Sequence, residues 1–218
     1  MPMKAVIFDM DGVLIDTEPI WQEVESNIFG SCGVPLSLKD CEQTIGMRID
    51  EVVAYWYKKL PWQGKKCAQV VQEIHDEMVR QIPVKGKPLV GALEALDEVK
   101  KLGFSVALAS SSSLEIITTV LKTLGRDNFF DVVYSAEFES HGKPHPAVYL
   151  TTAQKLGFDP QDCIAVEDSV NGMLAAKSAK MKCIAVPHFE RRNNKEFGIA
   201  DVVLDSLNQF NKDILEVL

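Results

Sequence analysis

The sequence has no long hydrophobic run and no basic cluster. Its first apolar run is far too short for a membrane span and ends in acidic residues, so we expect neither a signal peptide nor a membrane partner. No more than two basic residues are adjacent, and the net charge of −8 disfavours a nucleic-acid groove, which needs a basic face. We therefore expect a cytoplasmic protein that binds neither membranes nor nucleic acids.

The sequence also lacks a Cys-x-x-Cys pair, an internal repeat and a low-complexity segment. Its five cysteines, at positions 32, 41, 67, 163 and 183, are an odd number. We expect reduced cysteines that act as small hydrophobic residues, with Cys163 and Cys183 inside buried strands. The length of 218 residues allows a substantial core, as one domain or as one domain with a modest insert.

What is present begins with the segment AVIFDMDG at residues 5–12. The apolar part predicts a strand buried on both faces, and the charges of Asp9 and Asp11 must then lie at its exit. Gly12 permits a tight turn that brings the main chain close to a ligand. In an open α/β sheet, ligands bind beyond the carboxyl ends of the strands. We predict a metal-assisted reaction site here, although Asp and Gly are also ordinary turn residues.

Three further segments strengthen this interpretation: SVALASSSS at residues 105–113, GKPHP at 142–146 and CIAVED at 163–168. In order and spacing, the four segments resemble the four motifs of the haloacid dehalogenase-like (HAD) phosphohydrolase superfamily. The resemblance covers nearly the whole chain. Within the superfamily, the chain resembles the sugar-phosphate branch that includes β-phosphoglucomutase and the 2-deoxyglucose-6-phosphate or hexitol-phosphate phosphatases.

The pattern of apolar residues predicts an α/β fold, a doubly wound parallel-sheet core with an inserted α-helical cap. We assign residues 1–16 and 86–218 to the core and residues 17–85 to a cap of four helices, one starting at Ser37 with Asp40 as capping-box partner. The exit border of the cap is expected from Pro83 to Pro88, where proline and glycine cluster and the helical pattern breaks. Core helices are predicted at residues 91–102, 114–124, 146–156 and 171–181. Core strands are predicted at 105–109, 132–134, 163–166, 183–186 and near Val202. Residues 188–198 are expected to form a solvated loop rather than part of a site.

The resemblance implies that Asp9 is the nucleophile that forms an aspartyl-phosphate. Asp11 would protonate the leaving alcohol and later take a proton from water. A Mg²⁺ ion would be held by Asp9, by the backbone carbonyl of Asp11, and by Glu167 and Asp168, with Glu167 direct or through water. A missing Cys/His cluster disfavours zinc. The alternative for Asp168 is a simple helix cap near Asn171.

The resemblance also implies a phosphate site at the second and third segments. Ser110 would bind the phosphate together with the backbone N–H groups of Ser111 and Ser112, and Lys143 would supply a compact cation. Alternatively, the consecutive serines form a flexible turn. Gly12 belongs to the predicted substrate site. The same site includes Arg48, which either binds a second phosphate or anionic group, as a cap arginine does in the mutase relatives, or is a solvated helix-end residue.

We therefore expect a monomeric Mg²⁺-dependent phosphatase of small sugar or sugar-alcohol phosphates. The alternatives are a phosphosugar mutase of the β-phosphoglucomutase type and a non-catalytic phosphate-binding protein. The mutase relatives carry a histidine near the start of the cap, and Trp21 occupies that position here. Because indole can neither accept nor supply a proton at neutral pH, the sequence favours the phosphatase.

Overall fold

A computed structural model describes residues 4–218, at Glu216 for the backbone only. One sheet runs through it, made of the strands β1 (Ala5–Phe8), β2 (Ser105–Ser110), β3 (Val132–Ser135), β4 (Cys163–Glu167), β5 (Lys182–Ala185) and β6 (Val202–Val203). All pairings are parallel, and the spatial order is β3-β2-β1-β4-β5-β6. The order reverses at β1, so ligands are expected at the carboxyl ends of β1 and its neighbours.

The segment between β1 and the rest of the sheet is helical, as predicted. Its helices are α1 (Glu18–Ser31), α2 (Leu38–Cys41), α3 (Ile49–Lys59) and α4 (Cys67–Lys85). Ser37 and Asp40 form the predicted capping box at the start of α2. Helix α4 ends at Lys85, within the predicted exit segment from Pro83 to Pro88, and it includes Pro83. Proline removes one amide donor near the end of this helix, and the last turn is still closed by the Gly86 amide, which donates to the Ile82 carbonyl at 2.8 Å.

The remaining helices are α5 (Ala92–Lys101), α6 (Leu114–Thr123), α7 (Ala147–Leu156), α8 (Val170–Ser178) and α9 (Lys212–Glu216). Side chains alternate along each strand, so the sheet has two apolar faces. On one face, Val6 and Phe8 share a cluster with Leu96 of α5. On the other, Ile7 shares a cluster with Tyr149 of α7 and Met173 of α8. Helices on both faces confirm the predicted doubly wound α/β class.

Two chain segments connect the four-helix insert to the sheet, and they run side by side. The Asp16 amide donates to the Lys87 carbonyl at 2.9 Å, and the Leu89 amide donates to the Leu14 carbonyl at 3.0 Å. The insert therefore begins and ends at one place next to the loop after β1. The division into a core of residues 1–16 and 86–218 and a cap of residues 17–85 remains a prediction.

No helix in the described part of the chain is long and apolar enough to cross a bilayer. Most strand and helix bounds fall within two residues of the predicted ones, but α8 ends at Ser178 rather than near residue 181. The segment 188–198 is not simply a solvated loop. It contains a 3₁₀ helix at Lys195–Ile199, and Phe197 is buried against the sheet.

Candidate active site

Acidic side chains stand at the carboxyl ends of two neighbouring strands. Asp9 directly follows β1, Glu167 is the last residue of β4, and Asp168 follows it. Because β1 and β4 pair in parallel, their ends meet at one edge of the sheet. Carboxylate oxygens of the three residues lie within 4.8 Å of one another, and all three side chains are buried. We call these three residues the acidic cluster.

The ammonium of Lys143 lies beside the acidic cluster and is itself buried. Its Nζ is 2.9 Å from Oδ1 of Asp9 and 2.7 Å from Oε1 of Glu167, and it also donates to the Ala109 carbonyl at 3.1 Å. Tyr149 donates a hydrogen bond to the same Glu167 oxygen. Lys143, predicted as a phosphate-site cation, is therefore held at the carboxyl ends of three strands, β1, β2 and β4.

Burial and mutual repulsion dominate the electrostatics of the acidic cluster. Burial, and after it the charge of Glu167, raise the pKa of Asp9 well above its ordinary value, although Lys143 opposes the shift. Burial also raises the pKa of Asp168 from 3.8 to about 7. For Lys143, burial lowers the pKa, but Asp9 and Glu167 outweigh it and hold the ammonium charged. The buried Lys143 thus faces three crowded carboxyl groups.

The acidic cluster fits a divalent cation. Oε2 of Glu167 is buried without a hydrogen-bond partner, so it has a free position for a ligand. Close carboxylate oxygens with no nitrogen or sulfur ligand suit Mg²⁺. Gly12 makes room for this arrangement. It has a φ of +73°, and a Cβ there would lie 2.4 Å from Oδ2 of Asp168.

Asp168 does not cap a helix, which was the alternative role that the sequence allowed for it. The N-cap of α8 is Ser169, whose Oγ accepts from the Gly172 amide at 3.0 Å. Oδ2 of Asp168 instead accepts from Arg191 at 3.2 Å. This contact corrects the interpretation of residues 188–198 as remote from the site, because the fold returns the loop after β5 to the acidic cluster.

Asp11 belongs to a different set of contacts from the acidic cluster. Its Oδ1 accepts from Thr17 Oγ1 at 2.5 Å and from Trp21 Nε1 at 3.2 Å, and its Oδ2 accepts from Ser112 Oγ at 2.8 Å. The cluster of possible metal-binding side chains among the described residues does not include Asp11. The backbone carbonyl remains the predicted metal ligand at this position.

The serines after β2 divide into different roles. Ser110 is buried at the strand end, and its Oγ accepts from the Ser112 amide at 3.0 Å. Ser111 donates to the Gly46 carbonyl of the cap at 2.8 Å. Ser113 is the N-cap of α6 and lies 2.9 Å from Nε2 of His75 on α4. The segment is therefore an ordered turn that joins the sheet, α6 and the cap.

Arg48 is not brought together with the other predicted site residues. Its guanidinium pairs with Asp50 at 2.5 Å and donates to the carbonyls of Ala136 at 3.0 Å and Glu139 at 2.7 Å. On α3, which begins directly after Arg48, Glu51 accepts from the Gly142 amide at 2.9 Å. Arg48 thus joins the cap to the loop that precedes Lys143.

A cavity of about 70 Å³ lies between the cap and the carboxyl edge of the sheet. Its floor is formed by Asp9, Asp11, Asp168 and residues 110–113. The cap contributes the remaining lining residues, which are Glu18, Trp21, Gln22, Glu25, Cys41, Thr44, Ile45, Gly46, Met47, Ile49 and Val52, and α6 adds Ile116. We call this space the central cavity.

Sequence reasoning missed several partners of the predicted residues. Thr17 and Arg191 contact the site, and Tyr149 contacts Glu167 from the first turn of α7. No local motif marks these residues, since each meets its partner only through tertiary packing. The sequence did single out Trp21, at the position of the histidine in the mutase relatives. It did not predict the hydrogen bond from Trp21 to Asp11.

Comparison with known proteins agrees with this geometry. A family model described as "Haloacid dehalogenase-like hydrolase" matches residues 6–186. Hexitol phosphatase B of Escherichia coli strain K12 is 43% identical over 213 residues, which are 97% of this chain and 96% of that protein.

Two solved structures show the same fold. β-Phosphoglucomutase from Clostridium difficile has a TM-score of 0.85 at 27% identity and is matched over 99% of this chain and 96% of its own. CbbY from Rhodobacter sphaeroides, crystallised with phosphate, has a TM-score of 0.89 at 24% identity over 99% of this chain and 100% of its own.

Proposed function

Because the chain belongs to the haloacid dehalogenase-like hydrolase family, we propose that it is a phosphatase of small sugar or sugar-alcohol phosphates. The observation that carries the proposal is the pair of Asp9 and Lys143, buried at the exit of β1 next to Glu167 and Asp168. The 43% identity with a hexitol phosphatase over nearly the whole chain supports the substrate class.

Asp9 is the proposed nucleophile. Its carboxylate attacks phosphorus and forms an aspartyl-phosphate, which divides the hydrolysis into two easier displacements. Attack requires the ionised carboxylate, and Lys143, 2.9 Å from Oδ1, favours that form against the effect of burial. Mg²⁺ held by Asp9, Glu167 and Asp168 would supply positive charge that offsets the repulsion between carboxylate and phosphate.

Asp11 is the proposed acid and base. It lines the central cavity two residues after Asp9, and its carboxyl group is fixed by Thr17, Trp21 and Ser112. In the first step it protonates the leaving alcohol, and in the second it takes a proton from the attacking water. Ser110 lies at the cavity floor, where its hydroxyl can bind a phosphate oxygen.

Mutase activity is the second candidate, because the fold is shared with a β-phosphoglucomutase. A mutase must transfer the phosphoryl group back to the bound sugar before water does so. Trp21 contributes only an N–H donor to Asp11. Its indole can neither accept nor supply a proton at neutral pH, so it cannot assist the transfer to the sugar as a histidine could. The contact therefore favours transfer to water.

Product analysis tests the proposal. The Mg²⁺-loaded enzyme is incubated with sorbitol 6-phosphate and, separately, with glucose 1-phosphate, and sugar products and inorganic phosphate are quantified. We expect one phosphate released for each free polyol or sugar formed. Isomeric sugar phosphate formed without phosphate release would establish the mutase instead. No turnover of either substrate or of p-nitrophenyl phosphate would refute both enzymatic functions.

A further inference from the structure

One helix of the cap places three polar side chains on the wall of the central cavity. Glu18, Gln22 and Glu25 are four and three residues apart on α1, so they share one face of the helix. All three line the cavity that also contains Asp9. Gln22 donates to Oε1 of Glu18 at 2.9 Å. The polar face thus lies across the cavity from the proposed nucleophile.

Glu25 is an unusual member of this wall. It is 7% exposed and pairs with no basic side chain among the described residues. Its hydrogen-bond contact is the thiol of Cys41, a weak donor. A buried carboxyl group without strong partners is costly, and a ligand that supplies hydroxyl groups would remove that cost.

The protonation state of Glu25 matches a neutral ligand. Burial, with a smaller contribution from the charge of Glu18, raises the pKa of Glu25 from 4.5 to about 8. At neutral pH the group is therefore mainly a carboxylic acid, which can donate one hydrogen bond and accept others. Sugar and polyol hydroxyls offer the same combination of donor and acceptor.

The central cavity offers no free cation for a second anionic group. Within the described residues, neither Lys nor Arg lines it. Arg48 is directed to the carbonyls of Ala136 and Glu139, and Arg191 is paired with Asp168. A second phosphate or a carboxylate on the substrate would instead face Glu18 and Glu25, where no cation offsets its charge, and burying an unpaired charge is costly.

We propose that Glu25, with Glu18 and Gln22, forms a specificity site that binds hydroxyl groups of an uncharged polyol and rejects substrates with a second anionic group. This inference rests on the proposed phosphatase function and narrows its substrates to monophosphate esters. Glu25 touches the part of the substrate remote from the phosphate, so its removal affects the choice of substrate more than the chemistry.

Steady-state kinetics on the Mg²⁺-loaded enzyme tests the site. The probes are sorbitol 6-phosphate, fructose 1,6-bisphosphate and p-nitrophenyl phosphate, which has no polyol group. The variants are Glu25→Leu, which removes the hydrogen-bonding group, and Glu25→Gln, which keeps a neutral donor and acceptor. Glu23→Gln is the matched control, because Glu23 lies on the same helix, is exposed, and pairs with Lys85 at the surface.

For the wild type, we expect kcat/KM for the monophosphate to exceed that for the bisphosphate by on the order of a hundredfold. Glu25→Leu should lower the ratio of kcat/KM for sorbitol 6-phosphate to kcat/KM for p-nitrophenyl phosphate by about tenfold or more. In Glu25→Gln this ratio should stay within about threefold of the wild-type value. Glu23→Gln should leave the ratio unchanged.

Two outcomes would overturn the site. One is an unchanged substrate ratio in Glu25→Leu, and the other is equal wild-type use of the monophosphate and the bisphosphate. If Glu25→Leu does not fold, Glu25→Gln decides. A fall of about tenfold in its kcat/KM ratio of sorbitol 6-phosphate to p-nitrophenyl phosphate would contradict the neutral hydrogen-bonding role. Failure of the phosphatase function itself is distinct, because then p-nitrophenyl phosphate and every other probe would remain intact.

Discussion

The indole Nε1 of Trp21 donates a hydrogen bond to Oδ1 of Asp11 across 3.2 Å. Thr17 donates to the same oxygen, and Ser112 donates to the other. Two of these donors precede or belong to α1, and the third follows β2. The orientation of the proposed acid and base therefore depends on side chains from both the start of α1 and the turn after β2.

Replacing Trp21 by Phe keeps an aromatic ring in the cavity wall and removes the donor to Asp11. We expect kcat for sorbitol 6-phosphate to fall by about three- to tenfold, the scale of one lost hydrogen bond, with phosphate still the product. Tyr57→Phe on α3 is the control, because Tyr57 is an exposed aromatic outside the cavity. An unchanged kcat in Trp21→Phe would show that the contact does not position Asp11.

Replacing Asp9 by Asn keeps the size of the side chain and removes the attacking charge and one metal ligand. We expect kcat/KM to fall by on the order of a thousandfold or more, with an unchanged far-ultraviolet circular dichroism spectrum. Asp16→Asn is the control, since Asp16 is an exposed acid in the same loop. Activity within about tenfold of wild type would remove Asp9 from the role of nucleophile.

The parts of the site that the sequence predicted are those set by local rules. An apolar run that ends in acids specifies both a buried strand and the place where its charges must leave the core, which locates Asp9, Glu167 and Asp168. The parallel sheet then brings these strand ends together. The capping box of Ser37 and Asp40 was predictable for the same reason, because it depends on residues three positions apart.

The parts that were missed depend on how separate elements pack. Arg191 reaches Asp168 only because the loop after β5 folds back over the sheet edge. Arg48 is at the predicted start of a cap helix, but its direction is set by carbonyl groups near residues 136–139 on the other side of the interface. The inward direction of Glu25 follows from the docking of α1. No local pattern marks Glu25 as buried, since charged residues are mostly exposed.

Removing divalent cations should abolish turnover. The three carboxyl groups of the acidic cluster face one buried lysine. A divalent cation would reduce the repulsion between these carboxyl groups and would give the unpaired Oε2 of Glu167 a partner. We expect Mg²⁺ to restore activity after chelation and to raise the melting temperature. Ca²⁺ should inhibit, because it is larger and takes more ligands. Full activity after exhaustive chelation would exclude a catalytic metal at this cluster.

Replacing Arg48 by Ala tests whether this residue joins the cap to the core or binds substrate. Its contacts with the Ala136 and Glu139 carbonyls predict a loss of about 1–2 kcal/mol in the free energy of unfolding, measured with urea. The kcat/KM ratio of monophosphate to bisphosphate should not change. Lys58→Ala, an exposed site on α3, is the control. A changed ratio with unaltered stability would instead place Arg48 at the substrate.

Replacing Glu25 by Gln should change how stability depends on pH. Burial raises the pKa of Glu25 from 4.5 to about 8, so between these values the native state holds a proton that the unfolded chain has lost. The contribution of Glu25 to the free energy of unfolding therefore falls as pH rises through this window, by at most about 1.4 kcal/mol per pH unit, and levels off above it. Burial raises the pKa of the facing Cys41 thiol to about 12, so this group stays neutral across the window. Burial also raises the pKa of Glu18, but Glu18 is present in both the wild type and the variant.

Glutamine has no proton to lose, so the stability of Glu25→Gln relative to wild type should increase steadily from about pH 5 to about pH 8. Urea unfolding at intervals across this range measures the difference. The exposed control Glu23→Gln, which changes the same charge on the same helix, should give a curve parallel to that of wild type. If the curve of Glu25→Gln is also parallel to that of wild type, Glu25 is already ionised in the folded protein. The inference that Glu25 is a neutral acid on the cavity wall would then be wrong.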